Sequence, residues 1–536
     1  MGKNTEKIII VGAGMAGLTA AAYLTKAGYD VQILEKNERT GGLLGTINKN
    51  GFFFDTGPRA LINSGIVKPI LKELGISWEY FTNTISIGVE DKIFKVVSID
   101  DLKEYQRILT ELYPDSKEDV NRIFKSVNEL SEHTKIIYEF DNPYFGDQFS
   151  NKEYVVKRLL PWTFKFLQAL REFKRYKMPM ENFLHQLTGN QSLIDILTQH
   201  FFRNMPTYFV LGYFYVYLDY FYPKGGTGVF KDLLTEKVKQ DGGQIDLNKL
   251  IARIIPAESK VVDADGAEYS YDHLIWAADL KTFYYCLDTT GLDAKTISRV
   301  EFEKQRILSS KGAESVFIMN LGINRSPSYF KDHGGEHLFF TPSKQGLGET
   351  NRSLRVNLIE NFDQMSKSQV IKWLDNYCDQ TTYEISIPVL RDHSLAPEGQ
   401  TGVMVSCLFD YQLVKNVENA GWFDEFKERL ENRILSILSK SIYKDIEKDV
   451  IFKFSYSPLT INKLSGSSEG AITGWSFENE PPVIYKLTDV GKSVYTPLPN
   501  IYKAGQWAYA PAGVPIAMLT AWHAYQKIIK RSKKKV

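Results

Sequence analysis

The sequence contains little cysteine, with Cys286, Cys378 and Cys407 the only three in 536 residues. Three scattered cysteines predict neither a disulfide framework nor the paired spacing of a zinc site, and they favour a reducing compartment. The formal net charge of +1 gives no global field that would attract nucleic acid. No run of about 18 apolar residues occurs, so we expect no segment that spans a bilayer.

Histidine is also scarce, with eight in the chain. His333 and His337 lie four positions apart, but Gly334 and Gly335 between them disfavour the helix that would align both rings. We therefore predict no metal site, and we expect His523, in the last helical segment, to serve helix packing.

The N-terminus carries the strongest pattern, "KIIIVGAGMAGLTAAAYLTKAGYDVQILEK". It reads as a buried strand (residues 8–11), a glycine turn, a helix and a second strand (residues 31–34) that ends at an acidic residue. In such a unit the glycines permit the turn, the approach of a pyrophosphate and close helix packing, and the acid binds ribose hydroxyls. The order predicts a dinucleotide site with contacts at Gly12, Ala13, Gly14, Ala16, Gly17, Glu35 and Lys36.

The next segment, "KNERTGGLLGTINKNGFFFDTGPRAL", indicates which dinucleotide. The glycine doublet and the D-x-G-P turn resemble those of the flavoprotein oxidoreductases that include amine oxidases, protoporphyrinogen oxidase and phytoene desaturases. The resemblance implies FAD rather than NAD. It places the doublet near the FAD diphosphate and the D-x-G-P turn near the flavin ring, with contacts from Gly41, Gly42, Leu43, Gly57, Pro58 and Arg59.

Two distant segments resemble the remaining cofactor pieces of the same family. Residues 242–279 look like its second cofactor segment, in which the backbone near Ile251 meets the adenine. "PNIYKAGQWAYAPAGVPIAML" looks like the unit that directs a helix N-terminus at the flavin, with contacts from Gly505, Gln506, Gly513, Val514 and Pro515. No second G-x-G-x-x-G follows residue 45, so electrons must pass to or from an external partner: a quinone, oxygen or a reduced carrier.

Three further motifs narrow the resemblance. "YPKGG" from Tyr222, "IPVLRDHSLAPEG" and "SPLTINKLSGSSEGAITGW" are similar to segments of phytoene desaturases, carotenoid isomerases and retinol saturases, although Val389 stands where those enzymes usually have serine. The resemblance implies an FAD-dependent oxidoreductase that acts on a long apolar isoprenoid or polyene by hydride transfer to flavin N5, with desaturation the first choice.

Several alternatives remain open at this point. The same flavin site could saturate or isomerise a polyene, the protein could be an amine oxidase-like flavoprotein for a smaller substrate, or it could be a non-catalytic flavin-bearing protein of the membrane surface. No catalytic acid–base pair is evident in the motifs. Arg59 is a weak catalytic candidate that could steady charge on the flavin or substrate, with a surface arginine in a turn as the other interpretation.

The stretch "YFVLGYFYVYLDYFYPKGG" contains nine aromatic residues between Tyr208 and Tyr222. A helix that is apolar almost all round is buried, or it borders lipid or ligand. We predict that one helical face lines a substrate tunnel, through Phe209, Tyr213, Tyr217 and Tyr220, while plain core packing is the alternative.

A basic amphipathic segment precedes this stretch, with Trp162, Phe166, Leu170 and Phe173 at helical spacing. Such a stripe either lies in a membrane interface or packs on its own core. With the basic tail "KIIKRSKKKV", it favours a cytoplasmic protein with peripheral contact on the inner face of the membrane.

The expected fold is α/β, with a Rossmann-like FAD-binding domain and a discontinuous α+β substrate domain of mixed sheet plus inserted helices. We assign residues 1–60, 222–299 and 456–536 to the first domain, and residues 61–221 and 300–455 to the second.

Overall fold

The computed structural model describes residues 6–138, 141–143, 145 and 152–535. A five-stranded parallel sheet has the order Gln244–Asp246, Asp30–Leu34, Lys7–Val11, His273–Trp276 and Ile501–Lys503. Strands from three distant parts of the chain therefore meet in one sheet, with the N-terminal strand at its centre. This is the Rossmann-like sheet that the glycine pattern predicts.

Alternate residues of these strands pack on opposite faces of the sheet. Ile8 and Ile10 contact one apolar layer, whereas Ile9 and Val11 contact the other. The first layer contains the helices Met15–Lys26 (the nucleotide helix), Val229–Gln240 and Val514–Lys535 (the C-terminal helix). The second contains a three-stranded meander and two helices, formed by Ile251–Ile255, Lys260–Asp263, Glu268–Ser270, Leu280–Cys286 and Ala294–Ser309. Burial on both faces explains why these strands read as continuous apolar runs.

A seven-stranded mixed sheet forms the second centre of the fold. Its order is Val450–Tyr456, Ser315–Ile323, Thr401–Phe409, Tyr383–Ser386, His337–Thr341, Ile85–Val89 and Lys92–Val96. Only the pairing of His337–Thr341 with Ile85–Val89 is parallel. An outer apolar layer covers one face through the helices Lys367–Gln380, Tyr411–Asn419 and Phe423–Lys440. The other face, here called the inner face, is turned toward the glycine-rich segments and the inserted helices.

The segment between residues 60 and 220 contains the inserted helices that the sequence predicts, and it also contributes strands to this architecture. Its helices are Val67–Glu73, Leu102–Leu112, Lys117–Tyr138, Lys152–Tyr154, Leu160–Phe173 (the outer helix), Met180–His185, Gln191–Thr198 and Thr207–Val216 (the aromatic helix). Ile85–Val89 and Lys92–Val96 lie in the seven-stranded sheet instead. Short apolar runs do not distinguish a buried strand from a buried helical turn, so sequence periodicity missed them.

The aromatic stretch is not one continuous helix, which corrects the predicted register. The helix ends at Val216, a 3₁₀ turn follows over Tyr217–Asp219, and Tyr220–Pro223 is a strand. That strand pairs with Leu61–Ile62 and Tyr80–Thr82. Aromatic residues suit strands as well as buried helices, and this pairing decides between them.

The remaining short elements complete the chain. Thr46–Lys49 and Phe52–Asp55 form a hairpin whose Phe52 and Phe54 pack against Met404 of the seven-stranded sheet. Further helices lie at the periphery, namely Pro327–Asp332, Gly348–Asn351, Ser353–Glu360 and Pro458–Ser465. None of the helices in the described ranges is long and apolar enough to cross a membrane.

Candidate functional site

The glycine turn before the nucleotide helix has room for a Cβ atom at its middle glycine but not at the first or the last. A Cβ at Gly12 would lie 2.9 Å from Ala277 O, and one at Gly17 would lie 1.9 Å from Gly12 O. A Cβ at Gly14 would meet no atom nearer than Gly42 Cα, at 3.9 Å. Gly12 and Gly17 are therefore required for the chain to close on itself, while Gly14 faces free space. This is the division of roles expected where a pyrophosphate approaches the backbone.

The start of the nucleotide helix is free for an anion. Gly14 is the N-cap residue, no side chain of the described residues caps it, and the first turn contains no acidic residue. The first-turn N–H groups of Met15, Ala16 and Gly17 therefore point toward the same open space as Gly14. A helix N-terminus of this kind stabilises phosphate through its amides and its dipole.

Glu35 lies at the end of the neighbouring strand and is 5% exposed. Its Oε2 accepts the backbone N–H of Ala13 at 2.7 Å, and its Oε1 accepts from the backbone and side chain of Asn37, each at 2.9 Å. The carboxylate is thus fixed beside the glycine turn, where a ribose would lie. The backbone just before Ile251 lies next to Glu35, because Lys249 N donates to Glu35 O at 2.7 Å. Burial lowers the pKa of the next residue, Lys36.

The glycine doublet closes the other side of the turn. Gly41 N donates to Ala13 O at 2.8 Å, and Gly42 lies against Gly14. Both doublet residues have positive φ, at 118° and 60°, which favours glycine. A Cβ at Gly57 would lie 2.4 Å from Leu43 O, so the turn containing Pro58 packs directly on the segment after the doublet. The two motifs therefore border one groove.

The C-terminal segment reaches the same groove. A Cβ at Gly505 would lie 3.3 Å from Ala16 Cβ, at the start of the nucleotide helix, and Gly505 N donates to Thr520 Oγ1 at 2.9 Å. Gln506 Nε2 reaches Ser467 Oγ at 3.3 Å. The C-terminal helix begins at Val514, directly after Gly513, and Val514 and Pro515 are half-buried. The three predicted cofactor segments thus converge, and the residues fit an extended dinucleotide whose diphosphate would face Gly14.

Asp55 connects the motifs that resemble the carotenoid enzymes, a role that the sequence did not reveal. Its Oδ2 accepts from Tyr222 OH at 2.7 Å, and its Oδ1 accepts from Thr227 N and from Thr46 Oγ1, each at 2.8 Å. Asp392 Oδ2 in turn accepts from Gly225 N at 2.8 Å. The "YPKGG" turn is therefore held between two carboxylates, at the edge of the groove.

Arg59 is 2% exposed, so the interpretation as a surface arginine is wrong. Its Nη1 donates to Asp55 O at 2.7 Å and to Gly57 O at 3.1 Å, while its Nε has no hydrogen-bond partner among the described residues. Burial lowers its pKa. These contacts brace the turn through Gly57 and Pro58, and a direct catalytic role of Arg59 stays a prediction.

We infer an internal space between the aromatic helix and the inner face of the seven-stranded sheet. The side chain of Glu384 is 32% exposed although its strand is central in the sheet and its partner His337 is fully buried, so its exposed surface faces this space. The other half-buried side chains around it are aromatic, namely His200, Phe209, Tyr213, Tyr220 and Phe339. The space is therefore mostly apolar, with one carboxylate on its wall.

The predicted tunnel residues do not all have the same environment. Tyr213 OH and Tyr220 OH lie 2.7 Å apart, and both side chains are half-buried, as is Phe209. Tyr217 is 1% exposed, and its hydroxyl oxygen lies 3.1 Å from His200 Nε2. Burial lowers the pKa of His200 to about 4, so this ring is neutral at physiological pH.

Histidines do not form a metal centre in the described part of the chain, where no three His, Cys, Asp or Glu side chains come together suitably. His333 stacks on Tyr329, whereas His337 is fully buried in the seven-stranded sheet. Sequence reasoning considered His337 only as a metal ligand. Its position in the apolar strand "HLFFT", like that of Glu384 in "YEIS", is the signal that could have marked both residues as functional.

Comparisons with known proteins agree with this geometry. The family model for flavin containing amine oxidoreductase matches residues 15–529. A 4,4'-diapophytoene desaturase (4,4'-diaponeurosporene-forming) of Staphylococcus aureus strain COL is 22% identical over 547 aligned residues, covering 98% of this chain and 99% of that protein.

Solved structures share the fold at low sequence identity. An oxidoreductase from Methanosarcina mazei superposes with a TM-score of 0.62 at 14% identity, covering 98% of this chain and 100% of the other. Putrescine oxidase bound to putrescine gives a TM-score of 0.58 at 13% identity, with 99% and 100% covered.

Proposed function

The chain belongs to the flavin containing amine oxidoreductase family, and we propose that it desaturates a long apolar polyene. The protein is an FAD-dependent oxidoreductase, and the groove bordered by Gly14, Gly42 and Gly505 suits the cofactor. FAD, when bound, supplies a hydride acceptor, and the chain supplies position, shape and the exclusion of water.

The observation that carries this proposal is the apolar internal space beside the flavin-proximal turn. The half-buried rings of Phe209, Tyr213, Tyr220, Phe339 and His200 surround it. Phe209 and Tyr213 have ring centroids 5.4 Å apart, and His200 and Phe339 5.5 Å. Such rings contact hydrocarbon well, while the tyrosine hydroxyls find partners behind the ring plane. A conjugated or isoprenoid chain suits this lining better than a small hydrophilic amine.

The relative from Staphylococcus aureus supports the direction of the reaction. That protein is named for the formation of 4,4'-diaponeurosporene by desaturation of 4,4'-diapophytoene, and it aligns with 98% of this chain. We therefore place desaturation before saturation or isomerisation, and we take a phytoene-type polyene as the substrate class. The reduced flavin would pass its electrons to an external acceptor, a quinone or oxygen.

An apolar substrate of this size has to come from a membrane, and the outer helix offers a surface for that contact. The stripe predicted from the sequence does not face outward: Trp162 stacks on Phe166 and donates to Ile136 O, and Phe173 stacks on Tyr208 of the aromatic helix. A second apolar stripe does face outward. Val156, in the turn just before the outer helix, is 61% exposed, and Leu160, Phe164 and Leu167 are 48%, 73% and 54% exposed.

These four residues, the exposed stripe, follow one another at spacings of four, four and three, so they share one helical face. Most of the neighbouring exposed charged side chains are basic, at Lys157, Arg158, Lys165, Arg171 and Lys174, and the acidic Glu153 pairs with Lys157 at 2.8 Å. Apolar residues flanked by lysine and arginine are typical of a helix in the interface of an anionic membrane. We propose peripheral attachment at the cytoplasmic face, one helical layer away from the aromatic helix.

To test the proposed function, cells with and without the protein are fed 4,4'-diapophytoene, and the masses of the polyenes in their lipid extracts are compared. Loss of pairs of hydrogens from the polyene is expected. A gain of two hydrogens would indicate saturation, an unchanged mass with altered retention would indicate isomerisation, and identical extracts would contradict a polyene substrate.

A further inference from the structure

We propose that Glu384 is the catalytic base of this reaction, accepting the proton that leaves the polyene when its hydride goes to the flavin. This inference rests on the proposed desaturation and adds the proton acceptor that the motifs do not identify. Its support is the position of Glu384 on the wall of the internal space and the hydrogen bonds that hold its carboxylate.

Glu384 lies on a central strand of the seven-stranded sheet. Its neighbours in sequence, Tyr383 and Ile385, are buried in the outer apolar layer, so alternation turns Glu384 to the inner face. Its Oε1 lies 3.0 Å from His337 Nε2 on one adjacent strand, and its Oε2 accepts from Ser406 Oγ at 3.1 Å on the other. Both carboxylate oxygens are therefore held while part of the side chain remains open to the space.

A chain of hydrogen bonds links this carboxylate to the flavin-proximal turn. His337 Nδ1 lies 3.2 Å from Asn83 Nδ2, Asn83 Oδ1 accepts from Arg391 Nη1 at 2.5 Å, and Arg391 Nη1 also donates to Arg59 O at 3.0 Å. Asn83, His337 and Arg391 are all nearly fully buried. Glu384 is thus connected through three side chains to the turn that resembles the flavin contact of the family.

The same series of hydrogen bonds determines which nitrogen of His337 carries a proton. Arginine only donates, so Asn83 must present its carbonyl oxygen to Arg391 and its NH₂ group to His337. His337 Nδ1 then accepts, and the proton of the neutral ring lies on Nε2, where it is donated to Glu384. His337 is accordingly a positioning residue, since it orients the carboxylate without reaching the space itself.

The charge state follows from the same contacts. Burial lowers the pKa of His337, which keeps the ring neutral. Burial by itself raises the pKa of Glu384, but the hydrogen bonds from His337 and Ser406 and the positive charge of Arg59 hold it below the ordinary value. At neutral pH the residue is a carboxylate, able to accept a proton.

The hydride and the proton that leave the polyene each have an acceptor. One C–H bond of the polyene would break with its electron pair, and bound FAD would supply the acceptor for that hydride. The adjacent C–H bond then breaks, its electrons form the new C=C bond, and its proton goes to Glu384. Loss of hydride leaves an electron-deficient carbon that makes the neighbouring C–H strongly acidic, so a carboxylate is a sufficient base, and general bases of this kind contribute about 100-fold or more.

The test compares Glu384→Gln, which keeps the shape but accepts no proton, with Glu431→Gln. Glu431 is the matched control because it is also buried and accepts a serine hydroxyl, from Ser455 at 2.5 Å, but on the outer-layer helix Phe423–Lys440. Each flavin-loaded protein is mixed with 4,4'-diapophytoene in lipid vesicles, and turnover, flavin content and thermal stability are measured. A third variant, Glu384→Ala, is assayed with and without formate, a small carboxylate that could occupy the space.

We expect Glu384→Gln to retain flavin and lose turnover by about 100-fold or more, Glu431→Gln to lose less than about threefold, and formate to restore part of the activity of Glu384→Ala. Turnover of Glu384→Gln within about threefold of the unaltered protein would overturn the role of Glu384 and leave the proposed function standing. If the unaltered protein left the polyene unchanged, the proposed function would fail and this inference with it.

Discussion

Tyr213 and Tyr220 share a hydrogen bond between their hydroxyl oxygens, 2.7 Å apart, across the point where the aromatic helix gives way to a strand. Both rings border the internal space, whereas Tyr217, between them in sequence, is buried in the core. The aromatic stretch therefore has two roles, as a lining and as packing, and single substitutions can separate them.

We expect Tyr213→Ala to lower turnover of the polyene by about tenfold, because a missing lining ring costs substrate positioning worth about 1.4 kcal/mol. Its flavin content should stay normal. Tyr217→Ala removes a fully buried ring and should destabilise the fold by about 3 kcal/mol, by analogy with buried aromatic truncations. Thermal melts, flavin absorbance and turnover of both variants check this difference, and equal loss of stability in the two would show that Tyr213 is also plain core.

Substitutions in the glycine turn should separate effects on FAD binding from effects on folding. Gly14 has a φ of −76°, which any residue can adopt, and its Cβ would point into free space. Gly14→Ala should therefore fold like the unaltered protein but bind FAD at least about tenfold more weakly, since the methyl group occupies the place of the pyrophosphate.

Gly17→Ala is the matched comparison for this prediction, because its Cβ would lie 1.9 Å from Gly12 O. It should lose stability even without flavin. Melting temperatures of the flavin-free proteins, together with FAD titrations, separate the two effects. Tight FAD binding by Gly14→Ala would contradict the assignment of the groove.

The exposed stripe predicts membrane attachment that a few substitutions remove. Replacing Leu160, Phe164 and Leu167 with serine should weaken binding to anionic vesicles by about 100-fold or more, because each apolar side chain contributes about 1 kcal/mol or more to insertion. Co-sedimentation measures this, with Phe302→Ser as control, since Phe302 is 63% exposed on another helix. Equal sedimentation of the triple variant and the unaltered protein would remove the exposed stripe as the attachment site.

Because of Asp219, we expect the free energy of unfolding to depend on pH. Burial raises its pKa from 3.8 to about 6, against the hydrogen bond that its Oδ2 accepts from Ser64 N at 2.7 Å. The folded state therefore holds this proton more tightly than the unfolded chain, and the stability gained below pH 3.8 is lost as pH rises through about 6.

Asp219→Asn cannot lose a proton, so its melting temperature should fall less than that of the unaltered protein between pH 5 and pH 8, on either side of the folded pKa of about 6. The exposed Asp332→Asn should behave like the unaltered protein. Parallel melting curves for Asp219→Asn and the unaltered protein across this range would contradict the raised pKa.

Local motifs were predictable because each has a short-range physical cause. The strand, glycine turn, helix and Glu35 lie within thirty residues, and the structure places them as their spacing requires. The second and third cofactor segments were identified by their resemblance to the family. Their convergence, with Gly505 against Ala16 and Gly42 against Gly14, was implied by family resemblance rather than by the residues themselves.

Long-range partners and the choice between two apolar faces were not predictable. Asn83, His337 and the stretch that contains Glu384 and Arg391 come from three separate segments, and only the folded sheet brings them into one network. The outer helix has apolar residues on two faces, and contact with the helix Lys117–Tyr138, where Trp162 donates to Ile136 O, decides which face packs inward while Leu160 and Phe164 face out. Strand pairing likewise decides that Tyr220 leaves the helix.

The most direct measurement is anaerobic mixing of the purified, flavin-loaded protein with 4,4'-diapophytoene in vesicles, followed by flavin absorbance and product mass. A desaturase predicts loss of the oxidised flavin band within one turnover, and a product two hydrogens lighter in an amount equal to the flavin reduced. A flavin that stays oxidised beside an unchanged polyene would contradict the proposed function.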